Sequence, residues 1–88
     1  MRRASVSLSN PEGLHARPGA LFTMTASSFE CSVQVTKNGK SVNGKSVISL
    51  ISLDCRVGEQ ITIVTDGPDE VEALQRLVAL ITADFATL

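Results

Sequence analysis

Apolar and polar positions alternate from Ala4 to Leu8, the two-residue period of a half-buried strand. The run Asn10-Pro11-Glu12-Gly13 breaks that period and reads as a loop. From Ala16 to Ser28 the spacing becomes helical, with Ala20, Leu21, Met24 and Ser28 along one stripe. Pro18 fits the first turn of such a helix and not its middle. Alternation returns at Cys31, Val33 and Val35, a second strand. Asn38-Gly39 then gives a strong hairpin signal, because both positions tolerate positive φ, and Lys40 to Asn43 becomes the short returning strand.

Between Ser46 and Leu53 two readings stand. Val47, Leu50 and Ile51 have i, i+3, i+4 spacing behind Ser46, a good N-cap; the β-branched content favours a strand. Gly58 marks a turn, and Ile61 and Ile63 around Thr62 form a further strand. Gly67-Pro68-Asp69-Glu70 opens the last helix, with carboxylates where the helix dipole favours them. Its expected stripe is Val71, Leu74, Leu77/Val78, Ile81 and Phe85. The order strand, helix, strand, strand, helix, strand, helix predicts an α+β fold. It has one mainly antiparallel four-stranded sheet with three helices on one face, in a single domain over 1–88.

Composition narrows the function. Net charge is −1, from 8 basic and 9 acidic residues, so no basic surplus draws nucleic acid. Three Phe, without Trp or Tyr, make a base-stacking platform a poor fit. No apolar run approaches the ~20 residues of a membrane span, and the start lacks a signal-peptide core, so a cytoplasmic protein without membrane insertion is expected. Cys31 and Cys55 fit neither a CxxC motif nor a metal set with one histidine. They read as reduced, small apolar residues, and neither a metal nor a cofactor is expected.

The candidate chemistry lies in Gly13-Leu14-His15-Ala16-Arg17-Pro18, which holds the single histidine. A helix beginning near Ala16 puts His15 at its N-cap, beside the unpaired backbone amides of Ala16 and Arg17. Those amides and the positive end of the helix form an anion site. Arg17 adds a fixed charge able to grip phosphate with two hydrogen bonds. Gly13 allows a close backbone approach. A neutral imidazole is a nucleophile that needs no deprotonation. On the bland reading, His15 is a surface residue of a small binding or regulatory domain that carries no phosphate.

This hexapeptide resembles the active-site signature of the histidine-containing phosphocarrier (HPr) family of the bacterial phosphoenolpyruvate:sugar phosphotransferase system. Asn38-Gly39-Lys40-Ser41, Lys45-Ser46-Val47-Ile48 and the stretch from Gln60 to Phe85 extend the resemblance over nearly the whole chain. The resemblance implies an open-faced β-sandwich of four strands and three helices. It implies a carrier rather than an enzyme, phosphorylated on Nδ1 of His15 by enzyme I and discharging to the A domain of a sugar-specific enzyme II. It also implies that Ser46 is a regulatory serine, the target of a kinase and a phosphatase. An alternative within the family is its nitrogen-related, regulatory branch, which Ser46 to Asp54 and the Gly67-Pro68 helix start also resemble.

Some positions depart from common members. Gly19 stands where Ala is usual, an expected loosening of the first turn. Glu12 lies near the site, able to pair with Arg17 or to repel phosphate. Met24, Ser27 and Ser49 stand where many members carry lysine. With that basic rim absent, partner docking is expected to fall on an apolar patch of Val47, Ile48 and Ile51, with Ala20 and Met24 of the first helix. Leu50 and Leu53 are expected to be buried. The alternative is that all five apolar residues of the Val47 to Leu53 segment are core.

Overall fold

In the computed structural model, which describes residues 1–85, the order of elements is β1 (Arg2–Ser7), α1 (Ala16–Ser27), β2 (Ser32–Lys37), β3 (Lys40–Asn43), α2 (Val47–Leu53), β4 (Gln60–Asp66) and α3 (Glu70–Thr82). The four strands form one sheet in the order β1-β4-β2-β3, with every pairing antiparallel. The registers Ala4↔Ile63, Val6↔Ile61, Val33↔Thr65, Val35↔Ile63 and Val35↔Val42 line these residues up on one face. Against that face α3 packs over β1 and β4, and α2 over β3. The opposite face is open and polar. There Ser5 bonds Thr62 at 2.9 Å, and Thr36 bonds Ser41 at 2.7 Å.

The core draws on every layer, with Leu8, Leu14, Phe22, Val35, Leu50, Ile63, Leu77 and Ile81 almost completely shielded from solvent. Cys31 and Cys55 are free and buried within it. Burial pushes the Cys55 thiol up to about 11 and also raises that of Cys31, so both stay protonated. The β2–β3 turn has φ of 51° at Asn38 and 82° at Gly39, as the Asn-Gly pair requires.

Helix α1 is turned from its expected stripe, whereas the expected stripe of α3 holds at Leu77, Ile81 and Phe85 and fails at Val71. Helix α1 buries Pro18, Gly19, Phe22, Thr23 and Ala26, leaving Met24 exposed and Ala20 and Leu21 half-buried. Apolar residues occur on more than one side of α1, and the largest, Phe22, takes the core. Helix α3 buries Ala73, Leu77 and Ile81, while Leu74 and Val78 are half-buried and Val71 is exposed. Its start is fixed by Asp69, whose two carboxylate oxygens accept from the amides of Glu30 and Cys31, each at 2.9 Å. That anchor sets which side of α3 meets the sheet. In α2 the helical reading holds: Ser46 caps it by accepting from the Ser49 amide at 3.3 Å.

Candidate functional site

The loop before α1 is built for close approach. Gly13 has φ +60°, and a β-carbon there would lie 2.2 Å from the carbonyl oxygen of Cys55. The same oxygen accepts from the Leu14 amide at 3.0 Å, tying the loop to the chain that follows α2. Asn10 closes the loop from beneath through Nδ2, which donates to the Gly13 carbonyl at 2.8 Å. Gly13→Ala should therefore cost roughly 1–3 kcal/mol of stability, the scale of a side chain forced into left-handed backbone. Urea unfolding checks this, and an unchanged midpoint would refute the close approach.

His15 occupies the N-cap of α1 in extended conformation (φ −97°, ψ 159°), and its side chain makes no capping bond. Ala16, the first helical residue, has φ +54°, a left-handed conformation costly for a residue with a β-carbon. The amides of Ala16 and Arg17 donate to no acceptor among the described residues. Gly19, where a loosening of the turn is expected, lies tight against the preceding loop. Its missing β-carbon makes room for the Leu14 carbonyl, which would lie 2.4 Å from it. Absence of a side chain here admits the loop that carries His15.

The imidazole is 38% exposed and has an oxygen neighbour at each nitrogen. Nε2 lies 2.9 Å from Oδ1 of Asp54, and Nδ1 lies 3.2 Å from the carbonyl oxygen of Glu12. Asp54 is the C-cap of α2, in left-handed conformation at φ 55° and ψ 57°. Arg56 clamps its carboxylate: Nε donates to both oxygens at 3.2 Å, and Nη2 reaches Oδ2 at 3.1 Å. Those Arg56 bonds, aided by the contact with His15, hold the Asp54 carboxyl below the usual carboxylate range against the opposing effect of burial. The charge of Asp54 raises Arg56 in turn.

Pro11, Glu12, His15, Asp54, Arg56 and Val57 line an open cleft of about 360 Å³. Arg17 is exposed and does not line it; the cation at its wall is Arg56. The Glu12 side chain makes no ion pair with Arg17, and Glu12 meets His15 through its backbone. Sequence reasoning therefore reached His15 and the free amides, and missed Asp54 and Arg56. The signal available was a carboxylate at a helix end followed two residues later by arginine.

On α2, Leu50 and Leu53 are buried, while Val47 (39% exposed), Ile48 (77%) and Ile51 (49%) face solvent. This excludes a core role for all five. Helix α2 packs beside α1, which also exposes Met24.

A family model described as the PTS HPr component phosphorylation site matches residues 2–83. The phosphocarrier protein HPr of Neisseria meningitidis serogroup A is 46% identical over 85 residues, 97% of this chain and 96% of its own. The HPr-like protein Crh of Bacillus subtilis is 45% identical over 69 residues, 78% of this chain and 81% of its own. Among solved structures, HPr from Thermoanaerobacter tengcongensis superposes with a TM-score of 0.96 at 40% identity, covering all of both chains. The HPr of Bacillus anthracis does so with a TM-score of 0.88 at 41% identity, over 91% of this chain and 95% of its own.

Proposed function

Because this chain belongs to the HPr family, the phosphocarriers of the phosphotransferase system, we propose that it takes up phosphate from phosphorylated enzyme I on Nδ1 of His15 and passes it to the A domain of a sugar-specific enzyme II. A family of phosphoryl relays works with the enzymes of its system, and is not itself enzymatic. The observation that carries the reading is the single imidazole, partly exposed in an open cleft beside the unpaired amides of Ala16 and Arg17.

A phosphoryl group on Nδ1 would bring negative charge to a helix start whose amides point outward. Arg17, exposed and one residue beyond Ala16, would supply a cation for it, with Arg56 at the cleft wall. Helix-end attraction of ~0.3–1 kcal/mol is strong enough to steady the phosphate and weak enough to release it. Enzyme I and enzyme II A domains would cover the apolar patch of Val47, Ile48 and Ile51, with Met24 and Ala20 of α1 at its side. Among the described residues no helix is long and apolar enough to cross a membrane; the proposed place of work is the cytoplasm.

Sugar uptake and the nitrogen-related branch differ in their partners. Charged chain should discharge within seconds to minutes to a sugar-type A domain after loading by the matching enzyme I. Loading and discharge only with nitrogen-branch proteins would overturn the sugar assignment.

Ser46 is the proposed point of control by a kinase and phosphatase. Its hydroxyl already caps α2, and a phosphate there keeps an acceptor for the Ser49 amide. What changes is a charge of roughly −1.5 to −2 at the margin of the apolar patch, costly to bury against a partner. Ser46→Asp retains a capping side chain, so its melting temperature should match the parent's within a few degrees. Its phosphorylation by enzyme I should slow by about tenfold, the effect of ~1.4 kcal/mol in docking. Equal rates would remove Ser46 as a switch.

A further inference from the structure

We propose that Asp54, clamped by Arg56, is a positioning residue that keeps the ring proton of His15 on Nε2, both before phosphoryl uptake and during release. The inference rests on the carrier reading and on Nδ1 as the accepting atom. Its observation is the chain of contacts from Arg56 through Asp54 Oδ1 to Nε2 at 2.9 Å.

Both ring nitrogens face oxygen acceptors, yet a neutral imidazole has one proton. Only one of the two contacts can then be a hydrogen bond. The Asp54 contact is shorter, 2.9 Å against 3.2 Å, and its acceptor carries a full charge whereas the Glu12 carbonyl does not. Charge-assisted bonds are roughly twice as strong as neutral ones. The proton therefore belongs on Nε2, and Nδ1 keeps its lone pair. That lone pair then faces the oxygen of Glu12 at 3.2 Å, an unfavourable meeting of two acceptors.

On uptake, the Nδ1 lone pair attacks phosphorus of the partner's phosphoryl group. The N–P bond forms as the bond to the donor breaks, and the donor leaves with that electron pair. The product is an Nδ1-phosphoimidazolium whose Nε2–H still donates to Asp54. On release, the Nδ1–P bond breaks toward the next acceptor and its electron pair returns to Nδ1. The ring departs as neutral imidazole because the proton was kept on Nε2; without it, the leaving group would be the much poorer imidazolate.

A bare carboxylate so close would repel the incoming phosphoryl group. Arg56 offsets this with contacts to both oxygens at 3.1–3.2 Å, so the pair presents an acceptor with little net charge. The other charged side chain lining the cleft belongs to Glu12, and Arg17 lies outside it. The backbone supports the arrangement: at φ 55° Asp54 adopts a conformation that Asp, Asn and Gly tolerate best.

Asp54→Asn and Asp54→Gly keep that tolerance and remove the charge, so both variants should fold. Nitrogen-15 imidazole spectra of the unphosphorylated full chain read the tautomer directly. The parent should be mostly Nε2–H, and both variants should lose that preference. After loading with enzyme I and phosphoenolpyruvate and re-isolation, phosphoryl loss from the variants should be about two- to fivefold slower, the scale of a partly exposed ion pair. Labelled proteins with the same tautomer ratio and the same rate of loss would overturn the role of Asp54 alone. A parent that takes no label on His15 would overturn the carrier reading, and this role with it.

Discussion

Replacing His15 with Ala is expected to reduce acid-labile phosphate incorporation to background and to leave the melting temperature within a few degrees of the parent's. The ring supplies the only imidazole in the chain, so no second histidine can take over. Its removal opens no cavity, because it projects into an open cleft and its ring nitrogens meet only Asp54 and the Glu12 carbonyl. The N-cap itself loses nothing, since the His15 side chain makes no capping bond. Labelling with phosphoenolpyruvate and enzyme I, with acid and alkali stability of the label, checks the first half. A thermal melt checks the second. Label of undiminished amount in the variant would place the acceptor elsewhere.

The second large effect is expected at Ile48. Its side chain is the most exposed of the α2 patch, at 77%, so Ile48→Asp should alter stability by no more than ~0.5 kcal/mol. Docking is another matter. If a partner buries this position, the variant loses an apolar contact and places a carboxylate in a dry interface. Interface positions of this kind cost about 1–3 kcal/mol, or roughly 5- to 150-fold in Kd for enzyme I. Met24, Ser27 and Ser49 carry no charge, so on the proposed docking apolar contact should have a large share of that affinity. Titration calorimetry with the parent and variant gives the ratio, and an unchanged Kd with native circular dichroism would remove the patch from the interface.

The sequence carried the local chemistry of the site further than its three-dimensional assembly. Pro18 and the unbroken helical run placed the α1 start at Ala16, and with it His15 at the cap and two amides without partners. Gly13 was read as a close approach, and the Cys55 carbonyl occupies the space its β-carbon would need. Asn38-Gly39 and the Ser46 cap were legible because turns and caps are decided within a few residues. The phase of α1 was not. Ala20, Leu21, Phe22, Met24 and Ala26 spread apolar surface around the helix, and only tertiary packing, with α2 and α3 as neighbours, selects Phe22 and Ala26. In α3, Val71 lies outside the core because the Asp69 bonds to the Glu30 and Cys31 amides orient the helix, a long-range constraint.

Asp54 was hidden for two reasons. Its left-handed cap lacks the glycine that usually marks one, and its contact with His15 joins segments far apart in the chain. The same holds for φ +54° at Ala16, where alanine gives no hint of positive φ. Both features appear where the loop before α1 meets the end of α2, the one place where tertiary structure, rather than local preference, shapes the cleft.

Nδ1 of His15 is the proposed phosphoryl acceptor. Its most direct measurement is nitrogen-15 and phosphorus-31 NMR of the parent chain, labelled on histidine, before and after incubation with enzyme I and phosphoenolpyruvate. One phosphate per chain is expected, acid-labile and alkali-stable, with nitrogen–phosphorus coupling at Nδ1 and none at Nε2. Coupling at Nε2, an acid-stable phosphate on a serine or threonine, or no incorporation at all would contradict that assignment.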